Sequence, residues 1–302
     1  MPIHLSRIPR RRFLGQAILA GAGLLTGCAT LSSGKRRDKD TFALFSDIHL
    51  DANPEVLQRN VNMARNFEQA AAQVTALPRL PEQLFITGDL AHNSGQSGDY
   101  ATLSRLTTPL REAGIPIHLA LGNHDNRDRF WEAFQSLKSA RRPVHDHQVT
   151  LVRTPKVDWF ILDSLETTLS TPGLLGTEQL DWLARSLDAD PAKPAIVLIH
   201  HNPGISGTIS GLKDSDALLA VIHPRRRVKA YIFGHTHKWS TEQDAQGLHL
   251  INLPPVAYPF RDQDPSGWVL ATLRPDGMNL ALHSLNPSHP AHGKKLDLPW
   301  RA

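Results

Sequence analysis

The chain has 302 residues, 40% of them apolar, which is enough to bury a sizeable core in one large domain or two small ones. Its formal charge of +4 belongs to the first 27 residues: with Arg7, Arg10, Arg11 and Arg12 set aside, 33 basic residues become 29, matching the 29 acidic ones. The basic runs that remain, Lys35-Arg36-Arg37 and Arg225-Arg226-Arg227, are too short for a nucleic-acid stripe, and the single cysteine excludes an intrachain disulfide.

Residues 1–27 read as targeting information rather than fold. Arg10-Arg11-Arg12-Phe13-Leu14 precedes a weakly apolar run, Gly15 to Leu25, too short to span ~30 Å of hydrocarbon. This arrangement resembles a twin-arginine export signal. Leu25-Thr26-Gly27-Cys28 resembles a bacterial lipobox, which implies cleavage before Cys28, acylation of its thiol and a protein held at the membrane of the cell envelope, on the periplasmic side. A buried free cysteine after an N-terminal helix is the bland alternative. Residues 29–40 are small, polar and charged without periodicity, as in a tether.

Globular pattern starts at Thr41 and is expected to run to residue 285. Apolar, β-rich runs at Phe42–Phe45, Leu84–Thr87, Ile117–Leu121, Trp159–Leu162, Ala195–Ile199, Tyr231–Phe233 and Leu248–Ile251 predict strands, several buried on both faces. Helices are predicted at 54–76, 99–113 and 177–188, the last with Leu180, Leu183 and Leu187 on one stripe behind a Thr177 cap. Strand alternating with helix implies an α/β fold. No internal repeat or second domain is evident, and the proline-containing stretch 286–302 reads as a tail.

Polar residues gather where those strands end. Ser46-Asp47-Ile48-His49 follows the first, Gly88-Asp89 the second, Gly122-Asn123-His124-Asp125 the third, His200-His201 the fifth and Gly234-His235-Thr236-His237 the sixth. In open α/β sheets the carboxyl ends of strands are where ligand sites lie, so these residues should converge. Each motif alone has an ordinary reading, since Gly-Asp after a strand is often a turn or cap. Five in order at strand ends do not. His118 and His249 lie inside runs and are expected to be core histidines, while His145-Asp146-His147 is expected on the surface.

Asp47-x-His49, Gly88-Asp89, Gly122-Asn123-His124-Asp125, His200 and Gly234-His235-x-His237 together resemble the calcineurin-like metallophosphoesterases in order and spacing, over residues 42–252. Leu162-Asp163-Ser164, the segment Leu175–Leu183 and His200-His201-Asn202-Pro203 bring the chain nearest to the bacterial class III cyclic-nucleotide phosphodiesterase and glycerophosphodiesterase branch. Purple acid phosphatases match less well, because His92 stands where their metal-binding tyrosine is expected.

The resemblance implies a four-layer α/β/β/α sandwich and two divalent or trivalent transition-metal ions, Mn, Fe, Zn or Co. One would be held by Asp47, His49, Asp89 and His237, the other by Asp89, Asn123, His200 and His235, with Asp89 bridging. The ions would acidify a shared water for attack on a small phosphoester. His124 would protonate the leaving oxygen or stabilise its charge, with Asp125 orienting it. Arg127 is either a phosphate clamp or a plain surface arginine. His200 rather than His201 is taken as the ligand because it ends the strand as the family pattern requires, and whether His201 faces the pocket as a substrate contact stays open. The resemblance leaves three functions open: a phosphodiesterase on cyclic or glycerol-type diesters, a phosphomonoesterase or nucleotidase, and a metal-binding lipoprotein without turnover. Specificity is expected in segments 92–98 and 203–215.

Overall fold

The computed structural model describes residues 35–136, 143–204 and 210–302, so the export signal, Cys28 and most of the tether lie outside the described residues. Twelve strands make two six-stranded sheets. Strands β1 (Arg37–Phe45), β2 (Leu80–Ile86) and β3 (Ile117–Leu119) run parallel in the first, continued antiparallel from β1 by β10 (Gly267–Arg274), β11 (Gly277–Ser284) and β12 (Lys295–Pro299). The second sheet is ordered β8 (Ser240–Gln243), β9 (His249–Asn252), β7 (Val228–Phe233), β6 (Ala195–Leu198), β5 (Asp158–Ile161) and β4 (Thr150–Arg153), parallel from β9 to β5 with antiparallel edges.

Period-two alternation explains the layers. On β1, Phe42 and Leu44 face the second sheet, where Trp159, Ile161, Ile196, Leu198 and Ile232 close the central core, with Val269 of β10 beside them in the first sheet. Ala43 and Phe45 face outward onto α1 (Met63–Ala76), α2 (Ser97–Leu106), α3 (Thr108–Glu112) and α4 (Arg127–Ala133). On β5 the order is the same: Trp159 packs between the sheets, while Phe160 packs under α5 (Thr177–Asp188) and α6 (Ser215–Ile222). Both faces of both sheets are thereby covered, which is the expected α/β/β/α sandwich.

Several boundaries differ from expectation for local reasons. The domain opens at Arg37, which pairs with Leu80, so the tether ends before residue 40. The helix expected over 54–76 starts at Met63, because Arg59 and Asn60 take left-handed turns (φ 52° and 64°) and Asn62 caps by accepting from the Arg65 N–H. The span 99–113 is two helices broken at Thr107, where Pro109 sits in the first turn of the second. Gly176, not Thr177, is the N-cap of α5, with φ 78°. Residues 286–302 are no tail: β12 pairs with β11, and the Arg301 guanidinium is buried against the backbone oxygens of Val228 and Ile222. Among the described residues no helix is long and apolar enough to cross a membrane.

Candidate metal centre

The turns after β1, β2, β3, β6 and β7 meet at one end of the two sheets. The N–H groups of Ile48 and His49 donate to the Asp89 carbonyl at 3.1 and 3.0 Å, which stitches the first turn to the second. Asp47, His49, Asp89, His235 and His237 all hold left-handed backbone, with φ between 45° and 68°. Such conformations cost non-glycine residues energy and persist where the surroundings enforce them, most often at functional sites. Two glycines make the approach possible. A Cβ on Gly122 would lie 2.2 Å from Asp89 Oδ1, and one on Gly234 would lie 1.8 Å from Ser46 Oγ and 2.4 Å from Asp47 Oδ2.

The side chains form two overlapping sets. His49 Nε2 lies 3.0 Å from His237 Nε2, and His237 Nε2 lies 3.5 Å from Asp47 Oδ1. The His235 N–H donates to both Asp47 oxygens at 3.1 Å, and Ser46 Oγ donates to Oδ2. On the other side His200 Nε2 lies 3.3 Å from Asn123 Oδ1, and the rings of His200 and His235 meet edge to face with centroids 5.1 Å apart. Asp89 joins the sets: its Oδ2 lies 3.6 Å from His49 Nε2 and 3.4 Å from His200 Nε2, while Oδ1 accepts from the His124 N–H at 2.9 Å.

Burial pushes the His49 imidazole well below its ordinary value and, with His200 beside it, brings His235 down to about 3. Burial also works against ionisation of Asp89, but the surrounding histidines, His200 first, outweigh it and hold the carboxyl well below the usual range. Burial also opposes a charge on His200, but the Asp89 carboxylate outweighs it and raises that imidazole to about 9, so in the metal-free site His200 holds the proton that a cation would displace, beside the lowered His49 and His235. The donor set, oxygen and imidazole without thiolate, fits first-row transition metals. His237 also shows the second contact expected of a metal-bound histidine, its Nδ1 donating to the Tyr258 carbonyl and leaving Nε2 for the centre.

Residues 41–239, a span that contains every candidate ligand, match the family model of the calcineurin-like phosphoesterases. The chain belongs to that family. Calcineurin-like phosphoesterases use a dinuclear metal site, and membership makes this protein a hydrolase of phosphoric ester bonds. The chain is 26% identical to a 3',5'-cyclic-nucleotide phosphodiesterase of Nostoc, over 74% of this chain and 80% of that one. It is equally 26% identical to the 3',5'-cyclic adenosine monophosphate phosphodiesterase CpdA of Pseudomonas aeruginosa, over 79% and 84%. In fold it resembles a dimetal phosphatase from Danio rerio, at a TM-score of 0.67 and 17% identity, over 86% of this chain and 99% of that one.

Within this calcineurin-like site His124 stands at the edge of the centre, its ring edge to face with His49 at 5.0 Å, and borders a cleft of about 410 Å³ together with Asp89, Asn123, Asn202, His235 and His237. Asp125 does not orient it. The His124 Nδ1 donates to the Asn93 carbonyl at 2.7 Å, whereas Asp125 is buried and accepts from the N–H groups of Leu90, Ala91 and Gly122 and from the Tyr100 hydroxyl. Adjacent residues in a turn point apart, so proximity in sequence was a poor guide. Burial, with the nearby Asp89, lifts the Asp125 carboxyl to about 7.

Arg127 is likewise no phosphate clamp: its fork is spent on Asp163, with Nε to Oδ2 at 2.8 Å, and on the Leu165 carbonyl. His201 does not border the cleft. It lies beneath His235, fully buried, with Nδ1 2.7 Å from Ser164 Oγ and ring centroids 4.6 Å apart. His249 is a satisfied core histidine, its Nε2 donating to the Pro299 carbonyl; His118 stacks on Phe85 but leaves Nε2 without a partner. His145 and Asp146 pair on the surface. Sequence reasoning missed Asn93, Tyr258 and Phe260. The last two sit in the Pro-rich loop after β9, where aromatic residues outside any periodic run are the available signal.

Proposed function

We propose that the protein is a phosphodiesterase for small diesters, in which Asp47, His49, Asp89 and His237 hold one transition-metal ion and Asp89, Asn123, His200 and His235 the other. The observation that carries this reading is the position of Asp89 Oδ2 between His49 Nε2 and His200 Nε2, at 3.6 and 3.4 Å. One carboxylate oxygen facing both imidazole sets is what a bridge between two ions requires. The donors suit Mn, Fe, Zn or Co. When bound, the ions supply Lewis acidity and an acidified water.

The chain's own residues supply the rest. His124 has Nδ1–H committed to Asn93, so Nε2 carries the exchangeable proton and is placed to give it to the leaving oxygen. The same residue donates its backbone N–H to Asp89, which fixes the acid relative to the bridge. The preference for diesters is supported by the names of the relatives from Nostoc and Pseudomonas aeruginosa. Turnover of bis(p-nitrophenyl) phosphate and p-nitrophenyl phosphate, with and without chelator, tests the reading. The diester should be favoured at least tenfold, with activity lost to chelator and restored by Mn or Fe. Monoester preference would remove the diesterase assignment, and chelator-resistant turnover would remove the metals.

The same reading places the enzyme outside the cytoplasm, exported folded through the twin-arginine machinery and anchored by lipid on Cys28. Arg10-Arg11 and Leu25-Thr26-Gly27-Cys28 support it, and envelope phosphoesters become the natural substrates. Cys28→Ser should leave membranes while retaining activity. Membrane association of that variant, with no acyl mass on the wild type, overturns the anchor.

A further inference from the structure

Phe260 is half exposed (50%), unusual for a large apolar ring, and it borders the same cleft as Asp89, His124 and His237. The loop that carries it is firmly tied to the centre. The N–H groups of Val256 and Ala257 donate to the backbone oxygens of Ser46 and Asp47 at 2.9 and 3.1 Å, and His237 Nδ1 donates to the Tyr258 carbonyl. One face of the Phe260 ring lies flat against His237, with centroids 4.1 Å apart and planes 7° apart. The Arg59 guanidinium carbon lies 5.2 Å from the ring centroid, carried by a turn at φ 52°. Among the described residues Arg59 makes no ion pair with a carboxylate, and its charge acts on Tyr258 in the same loop as Phe260. A solvent-facing aromatic beside a phosphoester centre, its loop tied to that centre and its ring overlain by a cation, has the parts of a stacking site for a planar group.

We propose that Phe260 is a platform on which the base of a nucleotide substrate stacks, with Arg59 as the outer layer. This rests on the diesterase reading and narrows it, from cyclic or glycerol-type diesters to diesters that bear a nucleobase. His237 connects the two halves of the recognition: its Nε2 faces the centre and its ring face backs Phe260, so phosphate and base bind on either side of one imidazole, the kind of gap a ribose spans. A glycerol-type alcohol gains nothing specific from a flat π face, whereas base–aromatic stacking is worth about five- to a hundredfold in affinity.

The test compares AMP with ribose 5-phosphate, which differ only by the base, as inhibitors of bis(p-nitrophenyl) phosphate hydrolysis and, by calorimetry, as ligands of the metal-loaded protein. AMP should bind about tenfold or more tightly than ribose 5-phosphate. Phe260→Ala should bring that ratio close to one, Phe260→Trp should keep it, and Arg59→Ala should reduce it two- to threefold. Equal affinities in the wild type, or a ratio that survives Phe260→Ala, overturns the platform. So does a Phe260→Ala protein that loses metal and weakens both ligands alike, since Phe260 would then only prop His237. Failure of the diesterase reading is distinguishable, because it appears as absent diester turnover whatever the binding ratio.

Discussion

His49 and His237, 188 residues apart in sequence, bring their Nε2 atoms to 3.0 Å from one another. This is about the separation of two ligands on one ion when each bond is ~2.1 Å. His237 donates its Nδ1–H to Tyr258, so its Nε2 carries a lone pair aimed at the centre. His237→Ala should therefore empty one position and spare the other, giving about one metal per chain. Asp89→Ala removes the group common to both sets and should leave none, with turnover at background. Elemental analysis per mole of folded chain decides. Two metals retained on Asp89→Ala would dismantle the bridge.

His124 touches the cleft but belongs to neither ligand set. His124→Ala should keep both metals and lose about 10²–10⁴ in rate, the scale of a positioned proton donor. Because the proton goes to the leaving oxygen, the loss should be largest for poor leaving groups and small for p-nitrophenolate, which leaves readily without one. Metal loss on this substitution would make His124 a ligand.

Asp125 is expected to act on stability first. Replacing it with alanine strands the N–H groups of Leu90, Ala91 and Gly122 in a buried turn, at a cost of about 2–4 kcal/mol. Thermal melting of the metal-free protein should show the drop. An unchanged melting point with reduced turnover would return Asp125 to the catalytic role expected from sequence.

What is legible in the sequence follows from the kind of signal each part leaves. The parallel strands are continuous apolar runs, such as Ala195–Leu198, and the ligands follow them directly, so strand ends and site are found together. The antiparallel flank hides better. In β10 and β11 every other residue faces the central core, and the hairpin between them is announced only by Pro275-Asp276-Gly277. Five strands, β4, β8, β10, β11 and β12, fall outside the expected set: four leave no long apolar run, and the run in β10, Trp268-Val269-Leu270-Ala271, has no ligand motif after it. At the site, side-chain identity shows which residues can bind a metal but not what their backbone oxygens do. The contacts to Asn93 and Tyr258 therefore have no sequence signature at all.

Gly234→Ala tests how tightly the site is built. The added methyl would stand 2.4 Å from Asp47 Oδ2 and closer still to Ser46 Oγ, against groups fixed by further hydrogen bonds. Asp47 must move or the turn must open. Metal affinity should fall at least tenfold, while the core, remote from this turn, keeps the chain folded. A competition titration against a metal-binding dye measures it, and unchanged affinity would show the turn to be compliant.

His118 offers a pH dependence independent of the metals. It lies on β3, stacked on Phe85 with centroids 5.1 Å apart, and burial lowers its imidazole to about 4. Its ordinary value is near 6.5, so between these two pH values the unfolded chain takes up a proton that the folded chain refuses. Stability from this residue is thus intact at neutral pH, falls as pH drops below 6.5, and has no further to fall once pH is under about 4. The loss by pH 5 is about 1–2 kcal/mol, or several degrees in melting temperature. His118→Phe keeps the stack and removes the proton. The melting temperature of that variant, minus that of the wild type, should rise as pH falls from 7.5 to 5, both proteins being metal-free so that the remaining histidines cancel. A difference that stays flat across this range would mean that His118 takes its proton within the folded protein, with water or movement of β3 meeting the Nε2 that now lacks a partner.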